Sequence, residues 1–146
     1  MRRPLPFGLV ATVAALASSL AACTPPAKHE TAALADAVER FRRADNASKP
    51  RLAAAAATVA CTDATVCAAR DACAAAMAPT ARALVLKDDV AKTLDDIEHG
   101  KLAPDAPEAQ DLAGKLDEAE KLLGEGRTRW AACERSLTEL RVRYGV

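Results

Sequence analysis

Five cysteines, Cys23, Cys61, Cys67, Cys73 and Cys133, are the residues here with the widest choice of chemistry. A cysteine can bind zinc, close a disulfide, act as a nucleophile or carry a lipid, and spacing and neighbours decide which. Cys61, Cys67 and Cys73 are each separated by five residues, whereas zinc ligands usually come in Cys-x2-Cys-like pairs. The chain has no Cys-x-x-Cys-His for covalent haem. Neither His29 nor His99 has a cysteine or serine beside it in a nucleophile motif. Asp88-Asp89 and Asp95-Asp96 lack the spaced loop ligands of a calcium site. Lys87 and Lys92 are interleaved with them, as on a solvated helix face. Gly124-Glu125-Gly126 follows no strand and reads as a packing feature. No catalytic group, metal site or enzyme is expected. Disulfides are the remaining chemistry, provided that the chain reaches an oxidising compartment.

The N-terminus supplies that condition. Arg2 and Arg3 precede an apolar run from Leu5 to Leu20. A membrane-spanning helix needs roughly 20 apolar residues, so the run is short for spanning and has the layout of an export signal. It closes on Leu20-Ala21-Ala22-Cys23, which resembles the lipobox of bacterial lipoproteins at every position. The resemblance implies cleavage before Cys23, with a thioether-linked diacylglycerol and an N-acyl chain on that cysteine. These acyl chains, palmitate among them, are the only non-protein groups expected. Residues 1–22 would be the signal, 23–28 an acylated tether and 29–146 the helical domain. Thr24 in place of Asp after the cysteine implies the outer membrane, periplasmic face, over the inner. Several acyl chains hold a protein firmly where one would not.

Which elements position the other four cysteines follows from composition. Alanine supplies 37 of 146 residues, and it is the best helix former. Aromatic residues make up 3%, so the expectation is all-α, with slender, closely packed helices. Twenty basic and twenty acidic residues balance, which gives no global field for nucleic acid. Two short helices are expected over about 27–60, the first on Leu34, Val38 and Phe41, the second capped by Ser48 with Pro50 in its first turn. A long helix starts at the Asp63 cap, is kinked by Pro79 and ends at Gly100. Asp105 and Glu108 resemble a capping box for the last helix, with Pro107 at its start. That helix carries Leu112, Leu116, Ala119, Leu123, Gly126, Trp130, Cys133, Leu137, Leu140 and Tyr144 at alternating steps of four and three, a coiled-coil seam.

A short loop makes the last two helices an antiparallel hairpin over about 63–144, and facing residue numbers then add to a constant, about 206. Leu94 faces Leu112, Val90 faces Leu116, Thr80 faces Gly126, and Cys73 faces Cys133. The register pairs Cys73 with Cys133 and leaves Cys61 to Cys67. The fold expected is thus a small all-α bundle built on a long, coiled-coil-like antiparallel hairpin and stapled by two disulfides.

The short helices can cover only the membrane-proximal half of a hairpin roughly 50 Å long. Val85, Leu102 and Leu122 lie outside the arm's seam and are candidates for a partner or self-association surface. Arg135, Arg141 and Arg143 fall near the lipid and complement a helix C-terminus. The expected function is a non-enzymatic structural or protein-interaction module of the bacterial envelope, anchored to lipid. The alternative is a lipoprotein that binds or senses a small ligand or lipid.

Overall fold

A computed structural model describes residues 26–146; the expectations for the signal and for Cys23 lie outside them. Five helices follow in order: α1 (Pro26–Arg43), α2 (Lys49–Ala57), α3 (Ala64–Glu98), α4 (Pro107–Gln110) and α5 (Leu112–Tyr144). No strand occurs among the described residues. The first helix, expected from about residue 27, begins at Pro26.

The caps show where local chemistry decided the boundaries. Asp63, in an extended conformation, accepts from the N–H groups of Thr65 at 2.8 Å and Val66 at 3.1 Å, an N-cap worth about 1 kcal/mol. Ser48 makes no cap bond. Asp45 does that work instead, accepting from the Ser48 N–H at 2.8 Å and its hydroxyl at 3.2 Å, so the turn into α2 is organised three residues earlier than expected. The capping box at Asp105 and Glu108 does not form either. Pro107 opens α4, and the residue before a proline is driven out of the helical region. Ala106 (φ −62°, ψ 148°) therefore occupies the cap position and Asp105 stands one residue too far away. At the other end of α3, Gly100 takes φ 69°. Lys101 N–H then donates to the Asp96 carbonyl at 2.8 Å and Gly100 N–H to Ile97 at 3.0 Å, the paired bonds of a Schellman ending.

α3 continues through Pro79 as one helix. Proline leaves the carbonyl four residues back without its donor, here Ala75. Arg129 of α5 donates to that oxygen at 3.3 Å, so the neighbouring helix supplies the bond that the proline removed.

α3 and α5 form the antiparallel hairpin at the register read from the sequence. Cys73 is bonded to Cys133, with Cα atoms 4.5 Å apart. Such close approach needs small residues. At Gly126 an added Cβ would run into Thr80 Oγ1 and lie 3.0 Å from the Ala76 carbonyl oxygen. The main core joins Leu34, Val38 and Phe41 of α1 and Ala53 and Ala56 of α2 to the lower hairpin at Val66, Met77, Leu137 and Leu140. A second, smaller cluster of Ala83, Ala119 and Leu122, with Leu86 and Leu123 against it, holds the arm together above the short helices.

Leu122 therefore corrects the expectation of a partner surface there: it is 9% exposed and packs inside the hairpin. A straight α-helix gains about 20° per heptad on a strict 3.5 repeat. Between Ala119 and Gly126 the inward position has moved from Leu123 to Leu122. The arm's outer seam shifts likewise. Val90 and Thr93 are buried, while Leu94 and Leu116 are 52% and 45% exposed.

Candidate functional site

At the base of the bundle, side chains from three helices close on the start of α3. Glu30 of α1 accepts from the Thr62 hydroxyl at 2.6 Å, the Thr62 N–H at 2.9 Å and the Asp63 N–H at 3.4 Å. Tyr144, in the last turn of α5, donates its hydroxyl to Asp63 at 3.0 Å, and Arg143 donates to Thr65 at 3.0 Å. Hydrogen bonds to the ionised form favour it. Those from Thr62 hold the Glu30 carboxyl below its ordinary value. Asp63 is lowered by the Val66 N–H first and Tyr144 second. Burial, then the bond to Asp63, pushes the Tyr144 phenol up. The first turns of α1 and the last turn of α5 thus meet at one end, where the chain arrives from residue 25.

The four described cysteines form two disulfides: Cys61–Cys67, S–S 2.09 Å, and Cys73–Cys133, S–S 2.01 Å. Cys73 and Cys133 are fully buried at the centre of the hairpin. Cys61 and Cys67 are half-buried and tie the segment after α2 to the first turn of α3. By loop entropy the long bridge is worth about 4 kcal/mol and the short one about 2.

Above the base, the end of α1 meets α5 through an aromatic group that the sequence did not disclose. Phe41 stacks on Trp130, with centroids 6.1 Å apart. Arg42 lies over the Trp130 ring at 5.6 Å and pairs with Glu134 at 3.2 Å, and the indole N–H donates to the same Glu134 oxygen at 3.0 Å. Trp130 and Glu134 lie one turn apart, which was a readable signal; the arrival of Phe41 and Arg42 depended on tertiary packing. These residues, with Leu123, Gly126 and Arg127, line an open groove of about 560 Å³. A second groove, of about 480 Å³, lies where the α1–α2 turn meets the arm, between Asn46, Ala47 and Pro50 on one side and Leu84, Lys87 and Ala91 on the other.

The remaining candidates are dispersed. Val85 is 54% exposed beside the second groove, Leu102 is half-buried at the hairpin tip and Leu122 is buried, so the three do not make one patch. His29 is exposed on α1, and His99 ends α3 with Nδ1 2.8 Å from the Asp95 carbonyl oxygen. Of the acidic pairs, Asp89, Asp95 and Asp96 have basic partners. Asp89 holds Lys115 at 2.6 Å, Asp96 holds Lys92 at 2.7 Å, and Asp95 lies 3.3 Å from His99. The bond from Lys92 lowers the Asp96 carboxyl, and the bond to Asp89 raises Lys115. Among the described residues, no group of three or more His, Cys, Asp or Glu side chains is placed to hold a metal ion, and no helix is long and apolar enough to cross a membrane.

No family model, curated protein or solved structure matches the chain.

Proposed function

We propose that this chain is a lipid-anchored protein of the bacterial envelope, held on the periplasmic face of the outer membrane through Cys23, and that it acts by presenting a rigid helical arm to other envelope components. The observation that carries this is the use of the cysteines. Four of five are joined in two disulfides, which fit an oxidising compartment, and the fifth stands at the end of Leu20-Ala21-Ala22-Cys23. Only Thr24 and Pro25 separate Cys23 from α1. At no more than about 3.6 Å per step, the three steps from Cys23 to Pro26 leave the bundle base within roughly 11 Å of the anchor. The latch at Glu30, Asp63 and Tyr144 gives that base a fixed form, and the hairpin extends beyond the short helices. A non-enzymatic role agrees with Asp89, Asp95 and Asp96 tied up in ion pairs and histidines placed at a surface and a helix end.

Mass spectrometry of the chain purified from a bacterial membrane fraction tests the anchor. The expected species begins at Cys23 and carries three acyl chains, and Cys23→Ser abolishes both the acylation and the membrane retention. A chain that begins elsewhere, or Cys23 with no lipid, refutes it. A second reading, ligand binding, is favoured by one observation: the groove at Phe41, Trp130 and Arg127 has a volume within the range of small-molecule sites. Its test is co-purification of a small molecule or lipid that is lost in Trp130→Ala.

A further inference from the structure

One side of the hairpin is covered below and bare above. Leu94 follows the buried Thr93 and Leu123 follows the buried Leu122, one step of about 100° past the seam on each helix. In an antiparallel pair those two steps turn toward the same side. It is the side on which α1 ends, because Phe41 and Arg42 line a groove with Leu123. The layer of α1 and α2, one helix or about 10 Å thick, stops at Phe41 and Pro50. Beyond it about 10–17 Å of each hairpin helix continues without cover, with Leu94 and Leu116 about half exposed.

Charge divides along this bare stretch. Between Asp95 and Asp111 the tip carries six carboxylates. Asp95 and Asp96 are paired with Lys92 and Lys101, and Glu98, Asp105, Glu108 and Asp111 are in no ion pair among the described residues. At the step, the two grooves present Lys87 and Arg127, neither of which is in an ion pair among the described residues. The acids in those grooves are Asp88, and Glu134, which is matched by Arg42.

We propose that the occupant is the arm of a second copy of this chain, laid antiparallel so that each acidic tip seats against the other's basic step. Each arm then fills the notch above its partner's α1–α2 layer, the exposed leucines are buried together, and the two bases point away from each other. A parallel second copy fits neither feature. It would set one α1–α2 layer against the other, hold the arms about two helix diameters apart, and place acid on acid at the tips. The inference rests on the fold and its charges, and holds whether or not Cys23 is acylated.

Sedimentation equilibrium of the intact chain in a neutrally buoyant detergent, from low to high micromolar concentration, tests it. A monomer–dimer equilibrium is expected, weakened by salt. Leu94→Glu, Leu116→Glu and Lys87→Glu each change a side chain exposed in the single chain, so helicity and disulfides should persist while dimerisation weakens about tenfold or more. A carbodiimide crosslink in a mixture of isotopically light and heavy chains should join Lys87 of one copy to a tip carboxylate of the other. A monomer throughout, a dimer indifferent to all three substitutions, or crosslinks that join base to base would each overturn the proposal.

Discussion

Gly124 and Gly126 stand two residues apart in α5, and replacing each by alanine should change stability in opposite directions. Intrinsic helix propensity favours Ala over Gly by about 1 kcal/mol at both positions. At Gly124 a Cβ meets nothing within 4 Å, so Gly124→Ala should stabilise the protein by about 0.5–1 kcal/mol. At Gly126 the same gain is opposed. The Cβ would run into Thr80 Oγ1 and lie 3.0 Å from the Ala76 carbonyl and 3.4 Å from the Thr80 nitrogen. Thr80 is β-branched and stiff at χ1, and the other two atoms are backbone, so relief requires the helices to move apart beside the Cys73–Cys133 bond. Overpacking of this kind costs about 1–3 kcal/mol, which leaves Gly126→Ala destabilised by up to about 2 kcal/mol net of the propensity gain. Urea unfolding with both disulfides intact, followed by Trp130 fluorescence and by circular dichroism, measures the two substitutions on one scale, with an unchanged m-value as the control. Thr80→Ala should recover part of the loss in the Gly126→Ala background and none in the Gly124→Ala background. Equal stabilisation at both positions would mean that the hairpin is not held at the spacing described, and would refute the close approach.

Three further outcomes follow from named contacts. If Arg129 replaces the donor that Pro79 removes, Arg129→Met should cost up to about 1 kcal/mol in the wild type and nothing in Pro79→Ala, where the restored backbone N–H bonds the Ala75 carbonyl; equal costs in a double-mutant cycle would refute it. The carboxyls of Glu30 and Asp63 are lowered in the fold, so their contribution is complete above the unfolded values, about 3.9–4.3, and is lost as pH falls through the lower folded values. Stability measured by chemical unfolding should therefore be level with respect to these groups between pH 7 and about 5 and decline in acid, less steeply in Glu30→Gln; an unaltered acid slope in that variant would exclude the latch. Mild reductant should open the half-buried Cys61–Cys67 bond before the buried Cys73–Cys133 bond, as followed by thiol alkylation and peptide mapping, and loss of the second should destabilise by about 2 kcal/mol more than loss of the first; reduction in the reverse order would contradict the burial.

The hairpin was legible because two independent regularities agree. The seam of α5 repeats without a slip, and the tip is short, so one constant aligned Cys73 with Cys133 and Thr80 with Gly126, the disulfide and the tight contact that are found. Departures arise where the inward position falls on a residue that a hydrophobic count passes over. Thr93 takes the place expected for Leu94 because its hydroxyl donates to the Asp89 carbonyl of its own helix at 2.8 Å, so it enters the interior with its polar atom satisfied and leaves Leu94 outside. Leu122 displaces Leu123 where small Ala119 and Gly126 bring the helices close and a straight helix has drifted from the heptad. The contents of the base and of the groove were not legible in the same way. Glu30 reaches Thr62 across 32 positions and Arg42 finds Trp130, and neither pair shares a helix face or a loop that the sequence could have aligned, whereas Tyr144 and Asp63, whose numbers add to 207, stand at the register of the hairpin. Both departures and the aromatic cluster lie on the side of the hairpin where cover by α1 and α2 gives way to open arm. There the periodic rule that fixes the hairpin no longer decides which apolar residues have a partner, and the leucines it left outside are those proposed to meet a second copy.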